Sequence, residues 1–197
     1  MTYIAFLFAV LSPGPNVLGI LNVSLEKGRS AGVVMGFGIA LGSLTWATLT
    51  VVGLTQFIAK YSFLLQLIKI LGGLYLLYLA YLAVKSSGGE LQIAKDEPAR
   101  SDRNYFLRGY LLMMTNPKAA LGWVAIVSLT TFSSGPLWLS IAAVGGTFSI
   151  SVVVHTIFAI AFSSSAFVQQ YALYRRGIQK GFAVVYSGLG VKLLSSS

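Results

Sequence analysis

Apolar residues fall into six runs separated by short polar stretches: about Thr2 to Ser24, Ser30 to Ile58, Ser62 to Val84, Tyr105 to Phe132, Leu137 to Phe167 and Ile178 to Leu194. Each reaches or approaches the roughly 20 residues that a helix needs to cross a bilayer core, and the last is the shortest. The pattern predicts an all-α integral membrane protein with six transmembrane helices. Glu26-Lys27-Gly28-Arg29 reads as a tight turn between the first two runs, and Lys60-Tyr61 as the next. Lys85 to Asn104 is the one long polar linker, read as a flexible hinge because it holds Ser86-Ser87-Gly88-Gly89 and mixed charges. Ser133-Ser134-Gly135-Pro136 makes an uncharged turn, and Tyr174-Arg175-Arg176 to Lys180 leads into the sixth run. The opening Met1-Thr2-Tyr3-Ile4 lacks the basic region of a secretory leader, so the first run is predicted to be a retained span.

Two of the runs are interrupted. Ser12-Pro13-Gly14-Pro15-Asn16 lies inside the first and Thr115-Asn116-Pro117-Lys118-Ala119 inside the fourth. Proline removes a backbone donor and clashes with the preceding turn, so helices 1 and 4 are predicted to be broken at these motifs. Within a bilayer the freed polar groups must be received by protein or by a wet cavity, which makes each break a candidate ligand site. The prolines lie about eleven to fourteen residues into their runs, and each half of the chain holds three runs. An odd number turns the second half upside down, so the prediction is two inverted three-helix repeats, 1–85 and 105–197, joined by a linker at 86–104. Gly32, Gly36, Gly38 and Gly42 in the second run form overlapping small-xxx-small patterns, read as sites of close helix packing.

Composition strengthens the membrane reading. Hydrophobic residues make up 56% of the chain and charged residues 10%, against about 25% charged in a soluble domain. The net charge of +9 does not point to nucleic acid, because the basic residues sit in the polar breaks, where they set orientation and meet anionic lipid. Breaks one, three and five hold Lys27, Arg29, Lys85, Lys95, Arg100, Arg103, Arg108, Arg175, Arg176 and Lys180, while the other side holds Lys60, with Lys69 and Lys192 near run ends. The positive-inside rule then puts the linker in the cytoplasm and both termini outside. The chain has no cysteine, which excludes disulfides and thiolate chemistry.

With its two proline motifs the chain resembles the LysE/RhtB family of amino-acid exporters, inner-membrane proteins of bacteria. Further matching pieces are Lys27-Gly28-Arg29-Ser30-Ala31-Gly32, Leu71-Gly72-Gly73-Leu74-Tyr75-Leu76-Leu77-Tyr78-Leu79 and Phe106-Leu107-Arg108-Gly109, in the family's order and spacing over nearly the whole chain. The resemblance implies a six-span secondary exporter, a homodimer, moving amino acids or related small metabolites out of the cell on the ion gradient. The sequence departs from the family in one respect: Glu26, Glu90, Asp96, Glu97 and Asp102 all lie in or beside breaks, leaving no carboxylate inside a span to relay protons.

Candidate chemistry centres on the breaks, and the predicted substrate-binding residues are Pro13, Gly14, Pro15, Asn16, Asn116, Pro117 and Lys118. Lys118 sits midway along its run, where a charge costs roughly 2.5 to 3.5 kcal/mol. It either meets the carboxylate of a transported amino acid or binds carbonyls freed by the break. Asn16 and Asn116 either contact the zwitterion or cap their own broken helices. Half-helix N-termini aimed at the centre would favour the same carboxylate. His155, the sole histidine, is the candidate for proton coupling, against the plainer reading of one local hydrogen bond. Trp46, Trp123 and Trp138 read as lipid-facing or interfacial. Nothing resembles a phosphate loop, a metal cluster or a nucleophile with its base, so no cofactor, no metal and no enzymatic activity are predicted. The rival readings are a membrane scaffold whose glycine helices only pack and, disfavoured by the lack of carboxylates and thiolates in the spans, a metal-ion exporter.

Overall fold

The structure is a computed structural model that describes residues 2–54, 63–86, 101–128 and 137–195. All regular elements among these residues are helical: α1 (Thr2–Leu11), α2 (Pro15–Leu49) continued by a π turn (Thr50–Leu54), α3 (Phe63–Ser86), α4 (Asp102–Thr115), α5 (Pro117–Ser128), α6 (Leu137–Phe162) and α7 (Ser165–Ser195). The predicted connections at Lys60-Tyr61, within 87–100 and at Ser133–Pro136 lie outside the described residues.

Both predicted breaks are present. Pro13 and Pro15 cannot donate to the carbonyls one turn back, so α1 stops at Leu11, and the chain re-enters a helix with Pro15 in its first turn, where a missing N–H costs nothing. At the second break Pro117 likewise cannot bond the Met113 carbonyl, which accepts instead from the Asn116 N–H at 3.3 Å. Asn116 is the single extended residue between α4 and α5.

Inside α2, Gly28 has φ +86°, a left-handed conformation that favours glycine, and there the helix folds back on itself. Its two arms, 15–27 and 29–49, lie side by side, with Ser24 against Gly32 and Met35 against Gly19. The tight turn read from Glu26-Lys27-Gly28-Arg29 is thus in place. The 29–49 arm is about 30 Å long, the thickness of a hydrocarbon core. Among the described residues two helices, Pro15–Gly53 and Trp138–Phe162, are long and apolar enough to cross a membrane.

Two boundaries differ from the sequence reading. The run Tyr174 to Lys180 is not a connection but part of α7, which is 31 residues long. The turn lies earlier, at Ser163-Ser164, where the Ser163 hydroxyl donates to the Ile160 carbonyl at 2.7 Å. Tyr174, Arg176 and Lys180 are exposed, so their polarity marks an outward face and not an interruption. The fourth run also begins sooner, at Asp102 behind Ser101.

The 29–49 arm of α2 packs between α4 and α6. A Cβ at Gly38 would overlap the Phe106 carbonyl and one at Gly109 the Met35 carbonyl, while Gly36 rests against His155. The glycines of this arm therefore serve backbone contact on two faces. One core gathers residues such as Ile20, Leu21, Met35, Ile39 and Phe162 from α2, α6 and their neighbours. A second core joins α3 to α7 through Tyr75, Leu76, Leu79, Ala183 and Leu193, with Ala125 of α5 at its edge. Between the two cores lies a cavity.

Candidate functional site

The breaks face each other, and each is tied to the residues of the other. Asn16 and Lys118 are both the second residue of a half-helix, the one begun by Pro15 and the other by Pro117. Lys118 Nζ donates to Ser12 Oγ at 2.7 Å, to the Ser12 carbonyl at 3.2 Å and to the Pro13 carbonyl at 3.4 Å. In an uninterrupted helix those two carbonyls would accept from Asn16 and Val17. In the reciprocal direction, Asn116 Nδ2 donates to Asn16 Oδ1 at 3.1 Å, and Asn16 Nδ2 lies 3.0 Å from the Met113 sulfur. Asn116 Oδ1 accepts from the Lys118 backbone N–H at 3.0 Å, capping α5.

In this conformation the polar side chains of the two breaks find partners within the protein. Lys118 binds carbonyls freed by a break, yet they belong to the first break and not to its own. Asn116 is a cap, whereas no side chain caps the half-helix that starts at Pro15. Gly14 is extended, and its importance is space: a Cβ there would stand 3.1 Å from Lys118 Nζ.

A cavity of about 80 Å³ opens beside this brace, with room for several waters. Gly14, Asn16, Asn116, Lys118 and His155 line it. Pro13, Pro15 and Pro117 do not. They shape the breaks, and Pro15 and Pro117 point outward.

His155 is 3% exposed, and its Nδ1 lies 2.8 Å from the Ser151 carbonyl and 3.1 Å from Ser151 Oγ. A carbonyl only accepts, so Nδ1 carries hydrogen and Nε2 is the nitrogen left for a second proton. Sequence reasoning missed Ser12, Ser43, Ser151, Trp123 and Tyr186 as wall residues. Trp123 was expected at the lipid. It is buried, with its ring 5.1 Å from that of Phe6. Tyr186 lies below Lys118, with Nζ 5.9 Å from its ring centre. Ser43 Oγ is buried without a hydrogen-bond partner. Tyr75 is buried as well, and its hydroxyl donates to the Pro117 carbonyl at 3.2 Å.

Among the described residues that line the cavity there is no carboxylate, and no group of His, Asp and Glu is placed to hold a metal ion. One ammonium and two half-helix N-termini therefore set the local field, and it favours an anionic group.

The LysE type translocator family matches residues 7–197. The threonine efflux protein of Escherichia coli (strain K12) is 30% identical over 201 residues, covering 95% of this chain and 93% of that protein. The threonine efflux protein of Salmonella typhi is 28% identical over 199 residues, with the same coverage. An uncharacterized membrane protein of Escherichia coli (strain K12), YahN, is 27% identical over 190 residues, 96% of this chain and 85% of its own length. No solved structure matches the chain. A match over nearly the entire length, carried by relatives with membrane and efflux names, places the chain in the LysE type translocator family.

Proposed function

We propose that the protein is a secondary transporter that exports amino acids or related small zwitterionic metabolites across the bacterial inner membrane, driven by the ion gradient, and that the cavity between the breaks is its substrate site. The observation that carries the reading is the Lys118 ammonium held at the first break, beside two half-helix N-termini and a cavity without a described carboxylate. A substrate carboxylate can exchange with the Ser12 and Pro13 carbonyls for Lys118, gaining charge-assisted hydrogen bonds and freeing the first break to move. Asn16 and Asn116 offer amides to the same zwitterion. The Trp123 and Phe6 faces and the Ser43 hydroxyl suit its ammonium end. His155, through Nε2, is the group proposed to couple a proton.

The six-span inverted repeat belongs to the same proposal. In its support, Asn16 and Lys118 hold equivalent positions, and the helix pairs are reciprocal: α1 packs on α6 as α4 packs on α2. These pairs interlock the two sequence halves. The sliding boundary we propose is therefore the one between the two cores, with the α3–α7 pair moving against the rest. The basic residues favour a cytoplasmic linker and outward termini.

Purified protein in liposomes, assayed with a panel of radiolabelled amino acids under an imposed proton gradient, tests the reading. Substrate-selective, gradient-dependent flux that Lys118→Met removes is the expected result. A folded protein that moves none of the panel, or a Lys118→Met variant with unchanged flux, overturns the transport role or the Lys118 role respectively.

A further inference from the structure

Beyond the cavity, the buried face of α7 is polar over half its length. From Tyr186 in the cavity wall, steps of seven, four and four residues lead to Gln179, Arg175 and Tyr171, positions that share one helix face. Gln179 is 4% exposed, and its Oε1 has no hydrogen-bond partner; the buried Tyr171 hydroxyl has none either. In the opposite direction the same face becomes apolar, with Leu193 packed into the core shared with α3.

The polar half lies toward the Gly28 turn, since Tyr171 packs on Phe162 in the core that also holds Ala31. The 15–27 arm runs to that same end from Asn16 at the cavity, and on the way it carries Asn22, whose Oδ1 is also buried and without a partner. Burying amides and phenols unpaired is unfavourable, and a packed helix face has apolar alternatives for every such position. Unpaired groups aligned from a cavity to one end of a protein fit a surface that is wetted in another conformation.

We infer that the face of α7 from Tyr186 through Gln179 to Tyr171 lines the passage by which a small dipolar solute moves between the cavity and the Gly28 end of the protein, and that the passage is closed in this conformation. Gln179 supplies an amide that can both donate to and accept from a zwitterion in transit. The inference rests on the exporter reading for the identity of the solute.

The natural absence of cysteine makes the test direct. Single variants Gln179→Cys and Tyr171→Cys, with Val184→Cys and Leu173→Cys as controls on the strongly exposed outer face, are reconstituted and treated with a small anionic methanethiosulfonate. Gln179→Cys should react at least tenfold faster than Val184→Cys, and its modification should lower amino-acid flux at least tenfold. Modified controls should stay within twofold of their untreated rate. Tyr171→Cys gives the same readout if Gln179→Cys does not insert. Reaction no faster than at Val184→Cys in transporting protein, or reaction that leaves flux unchanged, overturns the passage. Fast reaction in protein that transports nothing retains the α7 passage and removes the exporter reading instead.

Discussion

The two breaks look alike in sequence but are stabilised differently. The second is a single residue wide and largely self-sufficient: Asn116 closes α4 with its N–H and caps α5 with its side chain. The first spans Ser12 to Gly14, has no side-chain cap, and its freed carbonyls are received by Lys118 from the other motif. One break is thus preorganised, and the other is held open by a cation that a carboxylate ligand could claim. Ligand arrival would change the first break while the second stays fixed.

The largest expected effect comes from removing that cation. Lys118→Met should reduce flux by about 100-fold or more, the rate equivalent of about 2.7 kcal/mol. Amide exchange separates this from general loss of fold. The Leu18 N–H, bonded to the Gly14 carbonyl, should exchange faster, while the Ala120 N–H, bonded to Asn116, should keep its protection. Equal loss at both amides would contradict the asymmetry. Next comes Asn116→Ala, which deletes a cap worth about 1 kcal/mol and a side-chain bond of similar size. For a chain of this length a lowering of the melting temperature by about 4–8 °C follows. Gly14→Ala is milder, because its extended backbone suits alanine and only the contact with Lys118 at 3.1 Å must give. Flux should fall less than about tenfold, with folding unchanged.

The breaks were legible because proline lacks an N–H in any surroundings, and Gly28 because a turn between apolar runs needs a residue that tolerates positive φ. Lys118 stood out because an ammonium in an apolar run is costly wherever it points. The partners of these residues were not legible. Ser12 meets Lys118 across 106 positions and Asn16 meets Asn116 across 100, pairings that only packing creates. Ser43, Ser151 and Trp123 sit in ordinary apolar runs, and nothing local tells which face of such a run turns inward. The boundary before the last helix was misplaced for a related reason: charges at Arg176 and Lys180 signal exposure, which a helix offers along one face without ending.

The smallest effect is expected at Tyr75, and it bears on the second break alone. Its hydroxyl reaches the Pro117 carbonyl at 3.2 Å from α3, the one hydrogen bond described between that helix and the break. Pro117 is the first residue of α5, so its carbonyl already has an acceptor role within the helix, and the phenol is a second donor to it. Removing a second donor leaves no carbonyl orphaned. Tyr75→Phe should therefore cost only about 0.5–1.5 kcal/mol, read as a fall of about 1–6 °C in melting temperature. Since Tyr75 ties the α3–α7 core to the fixed break, the same change should alter flux by less than about threefold, and in the direction of faster exchange if that boundary slides during transport. A loss of stability as large as that of Asn116→Ala would mean that the second break also leans on outside support, and the contrast between the two breaks would fall.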